Sequence, residues 1–286
     1  MILPSARSHR LAVLLVSCGV LAASLVAILA VRASPHADVV KTATAATAAT
    51  TNEPSSWPTS SPDAGLMTPS KSSCPPEMIL VEGSYCPNVR QECLRYLDPP
   101  GRYGTLRCAE FKQPATCVGE RQTMRYCIDR EEHTEHGETR PRVHVSWTQA
   151  SVACRDRGAR ICLESEWQFA CEGEEMRPYP YGFARDSAAC NIDQTHLGRP
   201  EEGLKDLRAT VSEYPRCVSP FGVHDMTGNV DEWTERPEAA APNRSILHGG
   251  WWLPARNSCR AATSHHNEAY FGPQVGFRCC KGVDAS

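Results

Sequence analysis

Hydrophobic and polar positions divide the chain into three unlike parts. From Leu11 to Val31, 21 consecutive residues carry no charge, with Arg7 and Arg10 before them and Arg32 after. A bilayer core takes about 20 apolar residues in a helix, so this run is long enough to span one. Residues 32–73 show no apolar periodicity. Further on, Met78-Ile79-Leu80-Val81 and Met124-Arg125-Tyr126-Cys127-Ile128-Asp129 read as strands. Two helices follow. Ser146-Trp147-Thr148-Gln149 is a capping-box pattern, and that helix is expected to end at Gly158. A second helix begins near Leu163 or Glu164, puts Leu163, Trp167, Ala170 and Cys171 on one stripe, and ends at Gly173.

The N-terminal run predicts a signal-anchor helix at 11–31, with residues 1–10 cytoplasmic and the rest of the chain extracytoplasmic, either periplasmic or at the cell surface. Two rival readings stay open. Leu15-Val16-Ser17-Cys18 resembles a lipoprotein cleavage box, and the small residues around Ala33 suit a cleaved signal. All three readings export the body. Residues 32–73, an Ala/Thr repeat followed by Ser and Pro, cannot bury enough apolar surface to offset their ordering entropy and read as a disordered linker. Residues 74–283 form the expected folded domain.

Composition adds the redox state. Of 15 cysteines, 14 lie between Cys74 and Cys280, an even set that predicts up to seven disulfides in an oxidising compartment. The spacing of Cys86, Cys93, Cys108 and Cys117 suits local staples, but sequence does not fix connectivity. No Cys-x-x-Cys occurs, which argues against zinc ribbons and thioredoxin-type sites. A net charge of -3 gives no footprint for nucleic acid, and none is expected as a partner. HExxH, P-loop and GxSxG motifs are absent. His144 is expected at a strand end, and His265-His266 in a C-terminal loop.

Several segments then come in a recognisable order: Val145-Ser146-Trp147; Arg160-Ile161-Cys162-Leu163-Glu164-Ser165-Glu166-Trp167; Tyr179-Pro180-Tyr181-Gly182 with Cys190-Asn191-Ile192; Phe221 through Asp225-Met226-Thr227-Gly228-Asn229-Val230-Asp231-Glu232-Trp233; His248-Gly249-Gly250-Trp251-Trp252; and Gly276-Phe277-Arg278-Cys279. This series resembles the sulfatase-modifying factor family, whose namesake is the formylglycine-generating enzyme. The resemblance implies an α+β, C-type-lectin-like fold, low in regular secondary structure and rich in disulfides. It implies disulfides Cys154–Cys279 and, with Cys259 as the nearest available thiol, Cys171–Cys259. Cys279 and Cys280 are adjacent, so on a strand they face opposite sides and need different partners.

Oxygen ligands crowd the turn from Asp225 to Glu232, which suits a hard cation. The resemblance implies structural calcium held by the Asp225 and Glu232 side chains with the Gly228 and Val230 carbonyls. A second site would use Asn191 and the Ile192 carbonyl, with further ligands near Asp206. A turn capped by Asp225 and Asn229 without metal is the alternative.

The namesake oxidises a protein cysteine to formylglycine with oxygen and copper, and soft Cu(I) needs two close thiolates. Counting from Gly250, the family's first redox cysteine falls on Pro254 and the second on Cys259. Anchoring on Arg260 and Gly276-Phe277-Arg278 moves Cys259 off that position. His248, Trp251, Trp252, Arg256 and His265 are candidates to line a peptide or glycan groove. Alternation of the two tryptophans would instead bury one and expose the other. Two functions follow as expectations. One is a membrane-anchored binding or scaffold module for an exported polypeptide or glycan. The other is a copper-dependent oxidase of the sulfatase-maturation type, with Cys259 catalytic.

Overall fold

The computed structural model describes residues 74–199 and 203–283. The expected anchor and linker lie outside them. Among the described residues no helix is long and apolar enough to cross a membrane. All described packing and all seven disulfides lie within residues 74–283, so this segment carries its own core.

The first predicted strand extends to Tyr85 as β1 (Met78–Tyr85). Two short antiparallel pairs follow. One joins β2 (Val89–Arg90) to β5 (Thr116–Cys117), and the other joins β3 (Cys93–Tyr96) to β4 (Cys108–Phe111). The second predicted strand, β6 (Gln122–Asp129), pairs antiparallel with β1, Ile79 opposite Ile128. Helix α1 (Trp147–Asp156) has the predicted cap: the Gln149 N–H donates to Ser146 Oγ, and the Ser146 N–H donates to Gln149 Oε1. It stops two residues short of Gly158, which takes a φ of 68° in the exit turn. After β7 (Arg160–Ile161), helix α2 (Glu164–Glu172) ends at Gly173. That glycine has a φ of 65°, and a Cβ there would meet Pro220 at 2.8 Å, so both conformation and space demand glycine.

The rest is sheet and loop: β8 (Asp231–Glu235), β9 (Ser245–His248), β10 (Ala262–Thr263), β11 (Val275–Phe277) and β12 (Cys279–Gly282). One four-stranded sheet has the order β1-β6-β12-β7 and another β10-β9-β8-β11, in which β11 runs parallel to β8. This is an α+β fold poor in helix.

Strand alternation sorts the core into two clusters. Cys127 and Cys279 pack with Trp147, Ala150 and Cys154 of α1, while Tyr126, Ile128 and Cys280 pack with Trp167, Phe169 and Cys171 of α2. The first sheet therefore lies between the two helices. Helix α2 is more enclosed than a single stripe predicts: every residue from Glu166 to Glu172 is buried, and Leu163 is only half-buried. His144 departs from expectation. It lies outside the strands with a φ of 55°, and its N–H donates to the Gly272 carbonyl.

Candidate functional site

The turn from Asp225 to Val230 feeds β8, and its backbone is tightly specified. Asp225 and Asn229 both take a φ of 54°, a region that short polar side chains tolerate. Gly228 has a φ of 85°, and a Cβ there would lie 2.4 Å from the Asn191 carbonyl oxygen. The turn can therefore press against the 190s loop only as glycine.

Below the turn lies a buried charge network. Arg278, fully buried on the link between β11 and β12, donates to both Glu232 oxygens at 2.7 and 2.6 Å. Its remaining N–H groups reach the carbonyls of Asp129, Arg130 and His224. Trp167 Nε1 donates to Glu232 as well, at 2.6 Å. The equally buried Glu132 accepts from Asn229 Nδ2 and the Val230 N–H. Asn229 Oδ1 in turn accepts from Asn191 Nδ2 and the Ala209 N–H.

Three buried carboxyls, those of Glu132, Asp225 and Glu232, thus share the single buried cation of Arg278. The surplus shows at Asp225 and Glu132. Burial, with help from Glu131 and Glu232, pushes the Asp225 carboxyl up to about 7 against the pull of the Ser212 N–H and Arg278. Burial, with Asp225 and Glu232 nearby, raises Glu132 well above the usual carboxylate range.

Seven disulfides account for all 14 cysteines from Cys74 to Cys280. Cys154 joins Cys279, Cys162 joins Cys280, and Cys171 joins Cys259. The adjacent pair therefore has different partners on the two faces of β12. In the first part of the body three links are nested: Cys74–Cys127, Cys86–Cys117 and Cys93–Cys108.

The family described as "Sulfatase-modifying factor enzyme 1-like domain" matches residues 105–283. The chain belongs to this sulfatase-modifying factor family. It is 31% identical over 154 residues to the "Inactive C-alpha-formylglycine-generating enzyme 2" of Bos taurus, covering 50% of each chain. It is 26% identical over 166 residues to the "Formylglycine-generating enzyme" of Mus musculus, covering 50% of this chain and 45% of that one. The chain thus spans about half the length of the curated relatives it matches. Among solved structures, CarF superimposes with a TM-score of 0.51 at 15% identity, covering 73% of this chain and 99% of that one.

Copper chemistry in a sulfatase-modifying factor fold needs a thiolate pair, and the residues here do not fit one. Pro254 is exposed in the loop after β9 and has no sulfur to offer. Cys259 is fully buried and tied to Cys171. No cysteine among the described residues remains a thiol.

The calcium expectation divides by ligand. Glu232 has both oxygens committed to Arg278 and Trp167, so it is poorly placed to bind a metal. Asp225, whose carboxyl accepts only from the Ser212 N–H among the described residues, keeps an oxygen of the kind a hard cation takes. In the second set, Asn191 is spent on Leu207, Asn229 and Gln194, Ile192 is buried, and Asp206 pairs with Arg208. Among the described residues no three His, Cys, Asp or Glu side chains form a metal cluster.

The candidate groove is corrected. His248 is buried on β9, stacked on Trp167 with its Nε2 3.2 Å from Glu164 Oε1, and Trp252 is fully buried. Both belong to the interior: β9 is buried along its whole length, and Trp252 is buried beyond the Gly249-Gly250 bend. His265 is exposed and does not line the cavity. Trp251 and Arg256 do, around a small pocket of about 80 Å³ with Leu247, Ala262, Thr263 and, as an additional acid, Asp231. Burial pushes the Asp231 carboxyl up to about 7. Asp231 thus belongs to β8 and this pocket, not to the turn with Asp225. It is the first residue of β8 and is buried with the three that follow, which nothing in the local sequence marks.

Proposed function

We propose that this chain is an exported member of the sulfatase-modifying factor family that has lost copper oxidase chemistry and uses its fold as a binding module. The observation that carries this reading is the Cys171–Cys259 disulfide, which, with Pro254, leaves no thiolate pair for copper. The bovine relative's name, which calls that protein inactive, is in keeping with it. Seven disulfides suit a body that folds outside the cytoplasm. Anchoring through the apolar run from Leu11 to Val31 belongs to the same proposal, and so does a structural calcium at Asp225, supported by the surplus of buried acid.

The ligand site in this reading is the pocket under Trp251. The Trp251 indole, the buried Asp231 carboxyl and the exposed Arg256 guanidinium that line it suit the tip of a polar side chain of an exported polypeptide or a sugar hydroxyl. The deciding experiment incubates the purified protein with copper and a peptide carrying the Cys-x-Pro-x-Arg motif, with an active family member as control. An unchanged peptide mass is expected. Conversion of the peptide cysteine to formylglycine overturns the reading.

A further inference from the structure

Nine large hydrophobic side chains are exposed among the described residues, and five of them fall within one 13-residue stretch. They are Leu94 (55% exposed), Tyr96 (47%), Leu97 (42%), Tyr103 (61%) and Leu106 (38%). All belong to the β3–β4 hairpin and its connecting loop, and none joins a core cluster. Exposed large apolar side chains concentrated on one element, rather than scattered singly, are a sign of an interaction site.

The hairpin is built to hold its shape. The Cys93–Cys108 disulfide closes it. At its base the Phe111 N–H donates to the Phe183 carbonyl and the Arg185 N–H to the Ala109 carbonyl, each at 2.9 Å. Arg107 clamps Asp98 at the loop entrance and reaches Asp193 of the body at 3.1 Å. The tip is therefore presented rigidly rather than packed away. The family match begins at residue 105, so it leaves most of the hairpin uncovered.

Charge indicates the occupant. Between Arg90 and Lys112 five basic residues face three acidic ones, in a chain whose net charge is -3. The acids are largely matched already: Glu92 pairs with Lys112, Asp98 with Arg107, and Glu110 sits opposite Arg95 in the ladder. Arg90 and Arg102 form no ion pair among the described residues, and the Arg102 guanidinium lies 5.4 Å from the Tyr103 ring center. Exposed tyrosine and leucine beside surplus arginine is the composition that suits a bilayer interface, with ring and aliphatic carbon at headgroup depth and guanidinium against anionic lipid.

We propose that the disulfide-closed hairpin around Leu94, Tyr96, Leu97, Tyr103 and Leu106 docks the body onto an anionic phospholipid surface. This stands apart from the oxidase question and from the Trp251 pocket. It also differs from the N-terminal anchor, so the test uses the segment Cys74–Ser286, which carries its own core.

That segment is sedimented with vesicles of phosphatidylcholine alone, or of phosphatidylcholine and phosphatidylserine mixed two to one. Binding to the anionic vesicles is expected, weakening with salt and falling roughly fivefold for Arg102→Gln. The double variant Leu94→Ser/Tyr103→Ser loses at least about tenfold, since each side chain forfeits its apolar burial. Both changes are at exposed positions, and unaltered melting of the variants checks the fold. Absence of binding to anionic vesicles, or equal binding by wild type and the double variant, overturns the proposal. So does lipid-independent dimerization that the double variant abolishes, because the patch would then face a second copy.

Discussion

Replacing Arg278 by Met tests the charge network most directly. The guanidinium is fully buried and makes five hydrogen bonds, two to Glu232 and three to backbone carbonyls. Methionine fills much of the volume but leaves Glu232 charged and uncompensated beside Glu132 and Asp225. Removing one partner of a buried ion pair costs about 3–5 kcal/mol. For a domain of this size that is a fall in melting temperature of roughly 6–20 °C, at about 2–4 °C per kcal/mol. The control is Arg278→Met/Glu232→Gln. The amide still accepts from Trp167 Nε1 but carries no charge, so the double variant is expected to regain at least about 2 kcal/mol of the loss. Guanidinium denaturation under non-reducing conditions, followed by tryptophan fluorescence, reads both through buried Trp167 and Trp233. The reasoning is refuted if Arg278→Met stays within about 1 kcal/mol of wild type, or if the double variant is no more stable than the single.

Three further outcomes are expected. Thiol titration of denatured, unreduced Cys74–Ser286 finds no free cysteine, and a free Cys259 would revive a reactive role for it. Cys171→Ser/Cys259→Ser removes a link across 88 residues and costs about 4–5 kcal/mol in the chain-entropy account, read by the same denaturation. Excess calcium over chelator raises the melting temperature by a few degrees, as about 2–3 kcal/mol of ligand linkage requires, and Asp225→Asn abolishes the response. Identical melting with calcium and with chelator would remove the metal from Asp225.

Local signals were the readable ones. Ser146 and Gln149 announce α1, Gly173 announces the end of α2, and the runs at Met78 and Met124 give the two long strands. The order of motifs carried the family and its fold. The missing copper pair was visible at Pro254. What stayed hidden depends on contacts distant in sequence. Arg278 meets Glu232 across 46 residues, and no spacing rule links them. Gly-Gly-Trp-Trp does not reveal which tryptophan turns inward, since the left-handed bend at Gly249 and Gly250 breaks strand alternation. His248 looked like a groove residue because its burial comes from stacking on Trp167, which lies on another element. Asp231 was hidden among other acids whose partners differ.

The nesting of the disulfides bears on how the chain can be made. The cysteines of the body leave the ribosome in sequence order. If each of the 14 cysteines from Cys74 to Cys280 were oxidized with its next neighbor in that set, the pairs would be 74 with 86, 93 with 108, 117 with 127, 154 with 162, 171 with 190, 217 with 259, and 279 with 280. Only Cys93–Cys108 among these is native. Cys154 and Cys162 must instead wait for partners at the extreme C-terminus, and those two links cross one another. A host that supplies an oxidant alone is therefore expected to yield more misbridged protein than one that also supplies an isomerase or a thiol buffer to reshuffle bonds.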